Sequence, residues 1–242
     1  MTERQVLAYS GILRTGDDPL GNEALLDHAA SLARVDGPVR VCYVPTAMGD
    51  HPEALERKRE DYGDRSDIEL SFLTLFPQPS HVDVRAHLLD QHVLLVEGGS
   101  VVNLVAVWRA HRLDEVMHEC WEAGVVLAGP SAGSLCWHLG GPTDSFSDRL
   151  DPFTDGLGFL PCSNGVHDDF TEQPRRTTYR AMVASGLLPA GYATEDGVGL
   201  HYVGTELHEA VSIRPAATAW WVEPDGEGGH IERAVETRYL GP

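Results

Sequence analysis

The sequence predicts an α/β fold: a mostly parallel sheet with helices on both faces, continued by antiparallel strands toward the C-terminus. Three observations carry that expectation. Short runs are apolar on consecutive positions, as strands covered on both faces require. The stretches between them repeat apolar residues every three to four positions, as amphipathic helices do. After about residue 195 the texture changes to short strands separated by Gly, Pro and Asp.

Taken in order, the expected strands are QVLAYSGI (5–12), VRVCYVP (39–45), IELSFLTLF (68–76), HVLLVEGG (92–99) and GVVLAG (124–129). The expected helices are NEALLDHAASLARV (22–35), PEALERKREDYGD (52–64) and VVNLVAVWRAHRLDEVMHECWEAG (101–124), the last read as one continuous amphipathic stretch. Alternation of the two kinds implies a βαβα order. GLHYVG, HEAVSI, TAWWVE and HIERAVETRYL are the antiparallel strands, and EPDGEGGH is the best hairpin turn, because Asp225-Gly226 and Gly228-Gly229 supply positive-φ positions. No linker, repeat or low-complexity tract interrupts the chain, so one domain over residues 1–242 is expected.

Composition narrows the function classes. Against 18 Lys and Arg stand 37 Asp and Glu, a net charge of −19, which repels phosphate backbones and anionic membrane surfaces. Nucleic acid and membrane are therefore not expected as partners. Cys42, Cys120, Cys136 and Cys162 form no C-x-x-C pair and read as reduced, buried thiols. The start MTERQVLAYSGI has no basic segment and no long apolar segment, and no run approaches the ~20 apolar residues that cross a bilayer, so a cytoplasmic location is expected.

The chemistry concentrates at VVLAGPSAGSLCW. Gly129-Pro130-Ser131-Ala132-Gly133 fits G-x-S-x-G, in which a sharp strand-to-helix turn pushes a serine Oγ outward and flanking glycines avoid collision with neighbouring elements. The Ala132 N–H would point toward an oxyanion. The same letters also suit a plain turn in which Ser131 caps a helix. A second glycine turn, Gly98-Gly99, also ends a strand and precedes a helix, and could bring further N–H groups beside the first; tight strand-to-helix packing is the alternative. A serine needs a base. Of 12 histidines, His167 in PCSNGVHDDF follows an apolar run and stands beside Asp168 and Asp169. His138, one turn past the serine, reads as packing. HECWE at His118 lacks the second histidine of H-E-x-x-H, so no metal and no cofactor are expected. Acids follow the histidine in ATEDGVGL, giving the order Ser, His, acid, which differs from that of α/β-hydrolases.

VLLVEGGSVVNLVAVW, GVVLAGPSAGSLCW, NGVHDDF and ATEDGVGLHY, in that order and at these intervals, resemble the peptidase E family of serine peptidases, which includes aspartyl dipeptidase and is related to cyanophycinase. The resemblance covers nearly the whole chain. It implies a class I glutamine amidotransferase-like fold with serine in place of the cysteine nucleophile. Matched motif to motif, Ser131 is the nucleophile, His167 the general base, and Gly98-Gly99 with Ala132 the oxyanion-binding turns. The chain departs from the pattern where Glu97-Gly98-Gly99-Ser100 replaces three glycines and an asparagine. It departs again where Asp196, with Glu195 beside it, replaces the usual glutamate before glycine; Asp144 in GPTDSF is a third candidate acid. Arg175 and Arg176 in EQPRRTTYR match the basic residues of aspartyl dipeptidases and could hold a substrate carboxylate bidentately. The resemblance thus implies a serine-type dipeptidase working through an acyl-enzyme, with preference for N-terminal Asp. A cyanophycinase-like β-aspartyl peptidase, an amidase and a non-catalytic amidotransferase-like binding domain remain as alternatives. The expected partner is a small peptide, and a homodimer stays open.

Overall fold

A computed structural model of the chain describes residues 3–11 and 23–241. Met1, Thr2, and the expected element ends at Ile12 and Asn22 lie outside the described residues. Five strands, β1 (Gln5–Tyr9), β2 (Val39–Val44), β3 (Ile68–Phe72), β4 (Val93–Val96) and β5 (Val126–Pro130), run parallel in the spatial order β1-β5-β4-β2-β3. Side chains alternate across this sheet and bury both faces. Val6, Ala8, Cys42, Val44, Leu94, Val96 and Leu127 point to one core, and Leu7, Tyr9, Val41, Tyr43, Val93, Leu95 and Val126 to the other. This is why each strand reads as a continuous apolar run rather than an alternating one.

Helices fill both cores. On the second face α1 (Glu23–Leu32) packs through Leu25, Leu26 and Ala29, and α2 (Pro52–Tyr62) through Tyr62. On the first lie α3 (Val84–Leu89), α4 (Val101–Ala110), α5 (Leu113–Ala123) and the short α6 (Ala132–Leu135). The amphipathic stretch 101–124 is two helices, not one. His111 caps α4, and Arg112 at φ 56° turns the chain into α5. A straight helix of that length would run ~36 Å, about twice the length of the five-residue strands it must cover, so the chain folds back and places Trp108 and Trp121 on the same core.

The C-terminal region divides between two sheets. Strands β10 (Val198–Val203) and β11 (Glu206–Ser212) extend the main sheet antiparallel beside β1. The chain between α6 and β10 supplies the short pair β6 (Gly141–Thr143) and β7 (Asp151–Phe153), then β8 (Ser163–Val166), α7 (Arg175–Ala184) and β9 (Gly191–Thr194). Beyond β11, β12 (Ala219–Pro224) and β13 (His230–Val235) leave the main sheet and complete a four-stranded sheet in the order β13-β12-β9-β8. The turn between β12 and β13 is the expected hairpin: Asp225 Oδ1 accepts the Glu227 and Gly229 N–H groups, and Gly226 and Gly228 have φ 81° and 94°. The strand reading of HIERAVETRYL divides in two. Its last part, β14 (Thr237–Tyr239), returns to the main sheet and pairs parallel with β11, where an antiparallel partner was expected.

Candidate active site

Three strand ends converge at the carboxyl edge of the parallel sheet, the usual place for a ligand in such folds. Strand β5, between β1 and β4, ends in a turn that holds Ser131 at φ 53° and ψ −109°, a conformation that a residue with a Cβ rarely adopts. The flanking glycines are required by packing. A Cβ on either Gly129 or Gly133 would overlap the Val96 carbonyl oxygen at the end of β4. The Gly98-Gly99 turn follows β4 directly and lies against the serine, since a Cβ on Gly98 would stand 3.4 Å from Ser131 Cβ. Gly99 has φ 134°, and a side chain there would strike the Ala47 carbonyl. Gly98 N–H donates to Glu97 Oε1 at 2.9 Å, so this amide already has an acceptor on its own turn.

His167 leaves the end of β8 at φ 58°. Its Nδ1 is 2.6 Å from Asp196 Oδ1, and both side chains are buried at 1% exposure. The Asp196 backbone is itself clamped: its N–H donates to Asp169 Oδ1 at 2.8 Å, and Arg214 Nη1 bridges Asp169 Oδ2 and the Asp196 carbonyl at 2.9 Å each. A carboxylate that holds Nδ1–H leaves Nε2 as the basic nitrogen. His167 Nε2 is buried with no hydrogen-bond partner among the described residues. Ser131 and His167 line one cavity of about 590 Å³, together with Gly98, Gly99, Tyr43, Arg57, Lys58 and Glu97.

The remaining sequence candidates are placed differently. Glu195 Oε2 accepts the Thr218 N–H at 3.0 Å. Asp144 is 41% exposed and pairs with Arg175 Nη2 at 2.8 Å and with Gln173. Arg176 is held by Asp168 and Glu232 at 2.8 and 2.9 Å and lies over the Trp220 ring. His138 is fully buried, with Nδ1 2.8 Å from the Ser134 carbonyl and Nε2 3.2 Å from the Tyr202 hydroxyl, and burial pushes its pKa down to about 4. All four cysteines are buried, and burial lifts the Cys42 and Cys120 thiols to about 12, which removes a competing thiolate.

Sequence reading missed the segment Tyr9-Ser10-Gly11, which holds the three parts together. The Tyr9 carbonyl accepts the Ser131 N–H at 2.9 Å, Ser10 Oγ accepts the His167 N–H at 3.0 Å and bonds Thr194, and the Gly11 carbonyl accepts the Gly197 N–H at 2.6 Å, next to Asp196. The available signal was a small polar residue before glycine at the end of a buried strand. It also missed Arg57 and Lys58. These sit on a helix whose polar face reads as an ordinary solvated one.

The fold is α/β, and the class of protein, a peptidase, follows from the family to which the chain belongs. Comparison with known proteins gives the family: the chain belongs to peptidase family S51, whose model matches residues 17–210. It is 36% identical over 204 residues to the "Uncharacterized peptidase YgaJ" of Bacillus subtilis (strain 168), covering 84% of this chain and 85% of that one. Its fold is similar to the crystal structure of a peptidase from an acI-B1 Actinobacterium, at TM-score 0.69 and 16% identity over 96% of this chain and 95% of that one. It is also similar to a putative peptidase E protein from Listeria monocytogenes EGD-e, at TM-score 0.59 and 14% identity over 97% of this chain and all (100%) of the other.

Proposed function

We propose that the chain is a serine-type exopeptidase that cleaves small peptides through an acyl-enzyme. The observation that carries this reading is the buried His167–Asp196 pair: its Nε2 has no hydrogen-bond partner among the described residues, and His167 lines the same cavity as the strained Ser131. Ser131 Oγ attacks the scissile carbonyl while His167 Nε2 takes its proton and then delivers it to the leaving amine. Asp196 fixes the imidazole tautomer and stabilises the imidazolium. Water, activated by the same histidine, then hydrolyses the acyl-enzyme. For the oxyanion we assign the Ala132 N–H and the Gly99 N–H, because the Gly98 N–H already serves Glu97.

The cavity supports the small-peptide reading. It carries cations, Arg57 and Lys58, and the carboxylate of Glu97, so it has groups for both ends of a zwitterionic dipeptide. Lys58 Nζ lies 3.7 Å from Glu97 Oε2 and faces the Tyr43 and Tyr62 rings. Arg175 is paired with Asp144, Arg176 and Arg180 with Asp168 and Glu232, and Lys58 with Glu97 and Asp61, so we assign preference for an acidic side chain first to Arg57, for which no ion pair is found among the described residues, with Lys58 beside it. The test is turnover of Asp-Leu and Ala-Leu together with a fluorophosphonate probe. Wild type should be labelled at Ser131, and Ser131→Ala should lose at least about a thousandfold in kcat/KM. Absence of both labelling and turnover would overturn the peptidase mechanism and leave a binding domain. Arg57→Met and Lys58→Met should lower the Asp-Leu to Ala-Leu rate ratio by about thirtyfold if they read the carboxylate, since a charge-assisted contact is worth roughly 2–3 kcal/mol. An unchanged ratio would remove the acidic preference.

A further inference from the structure

Three side chains from three separate elements meet outside the peptidase cavity. His28 on α1, His201 on β10 and Glu209 on β11 bring one ligand atom each to within 4.8 Å of one another. His28 Nε2 is 3.5 Å and His201 Nδ1 3.8 Å from the same oxygen, Glu209 Oε1. Both nitrogens are buried without a hydrogen-bond partner among the described residues, and His201 as a whole is only 3% exposed.

The surrounding bonds determine what His201 presents. Gln5 Nε2 donates to the Leu32 carbonyl at 3.0 Å, which fixes the amide orientation and turns Gln5 Oε1 toward His201 Nε2, also at 3.0 Å. An amide oxygen only accepts, so Nε2 carries the ring proton and Nδ1 presents a lone pair. That lone pair faces a carboxylate oxygen, an arrangement that is repulsive until a cation lies between them. The strands are built to make it. His201 and Glu209 are opposite each other, and the register shifts between His201 and Tyr202 in a bulge that leaves His208 unpaired. Arg238 donates to both Glu209 oxygens at 2.9 and 3.0 Å, orienting the carboxylate from outside as outer partners of metal ligands do.

We propose that His28 Nε2, His201 Nδ1 and Glu209 Oε1 form a binding site for a divalent cation of the zinc type, with water completing the coordination. Tetrahedral bonds of ~2.0–2.1 Å place ligand atoms ~3.4 Å apart, so the two observed separations from Glu209 need only small contractions. Two imidazoles and one carboxylate suit zinc, whereas calcium and magnesium favour all-oxygen sets. The ion would join α1 to two strands of the main sheet. Its effect is therefore on stability, and the peptidase chemistry does not depend on it.

The test uses the full chain after chelation and dialysis, titrated with zinc and with cobalt(II) as a spectroscopic substitute. The expected result is one saturable equivalent, a tetrahedral-type cobalt spectrum, and a Tm rise of about 5–10 °C at hundredfold excess over Kd. His201→Gln and His28→Gln should each weaken binding at least about tenfold, and Ser131→Ala should leave it intact. His28 is only half-buried, so its variant reads the site even if His201→Gln fails to fold. Lack of saturable uptake would overturn the proposal. So would an unchanged affinity in His28→Gln, or a metal-free His201 found by NMR to be doubly protonated at pH 7 and unchanged by zinc.

Discussion

At Asp196 one carboxylate oxygen meets His167 Nδ1 at 2.6 Å, while the neighbouring Glu195 carboxylate caps a backbone N–H. Asp196→Asn would present the wrong tautomer to Ser131 and is expected to lower kcat by about 10³–10⁴-fold, whereas Glu195→Gln should stay within severalfold of wild type. Equal losses in the two would show that the acid lies elsewhere. We propose that Ser10 acts one step further out, as a positioning residue. Ser10→Ala strands the His167 N–H in a buried site, which should cost about 1–3 kcal/mol of stability and lower kcat more than it changes KM. Restored kcat in Ser10→Thr, which keeps the hydroxyl, would distinguish positioning from packing. An unaltered kcat in Ser10→Ala would dismiss the role.

The strand-to-helix turn is the element in which structure and chemistry oppose each other. Ser131 occupies a positive-φ conformation that is unfavourable for a residue with a Cβ, and the surrounding turn enforces it through the Tyr9 carbonyl and the Val96 contact. Ser131→Gly relieves that strain, so it should abolish turnover while raising Tm by about 2–4 °C relative to Ser131→Ala. A glycine variant no more stable than the alanine one would show that the turn is not strained. Gly133→Ala acts in the reverse sense. Its Cβ drives into the Val96 carbonyl of β4, and a loss of about 1–3 kcal/mol with displacement of the Gly98-Gly99 and Ser131-Ala132 turns is expected in denaturation and rate measurements.

Across the whole molecule, the larger core contains Val6 and Leu94 of the main sheet together with Val166 and Ala219 of the second sheet. We therefore propose that both sheets unfold as one domain, seen as a single calorimetric transition; two resolved transitions would refute this. Among the described residues no helix is long and apolar enough to cross a membrane. His138 gives the molecule a built-in acid sensitivity. Its folded pKa of about 4 lies below the ordinary histidine value, so between about pH 4 and 6.5 the unfolded chain binds the extra proton and stability rises with pH. That contribution is fully present above about pH 6.5 and amounts to at most about 3 kcal/mol across the window. His138→Gln should flatten the Tm profile between those limits. An unchanged slope would place the titration at other groups.

The sequence by itself determined the parallel sheet, the site of the Ser131 turn and its neighbour at Gly98-Gly99, because local patterns fix these: consecutive apolar positions, and glycines wherever a Cβ has no room. The hairpin at Asp225 was legible for the same reason. What no local pattern encodes was decided by the tertiary structure. It selected Asp196 over Glu195 as the partner of His167, since adjacent residues on a strand end face opposite ways and only the packing of β9 against β8 shows which one meets the imidazole. It turned Arg176 away into ion pairs with Asp168 and Glu232, and brought Arg57 and Lys58 of α2 to the cavity. It also joined His28 to His201 and Glu209, residues far apart in the chain that become neighbours only because α1, seated over β4 and β5, brings His28 within reach of β10 and β11. Such contacts depend on how sheets and helices close over one another, and that closure is a property of the whole chain rather than of any stretch within it.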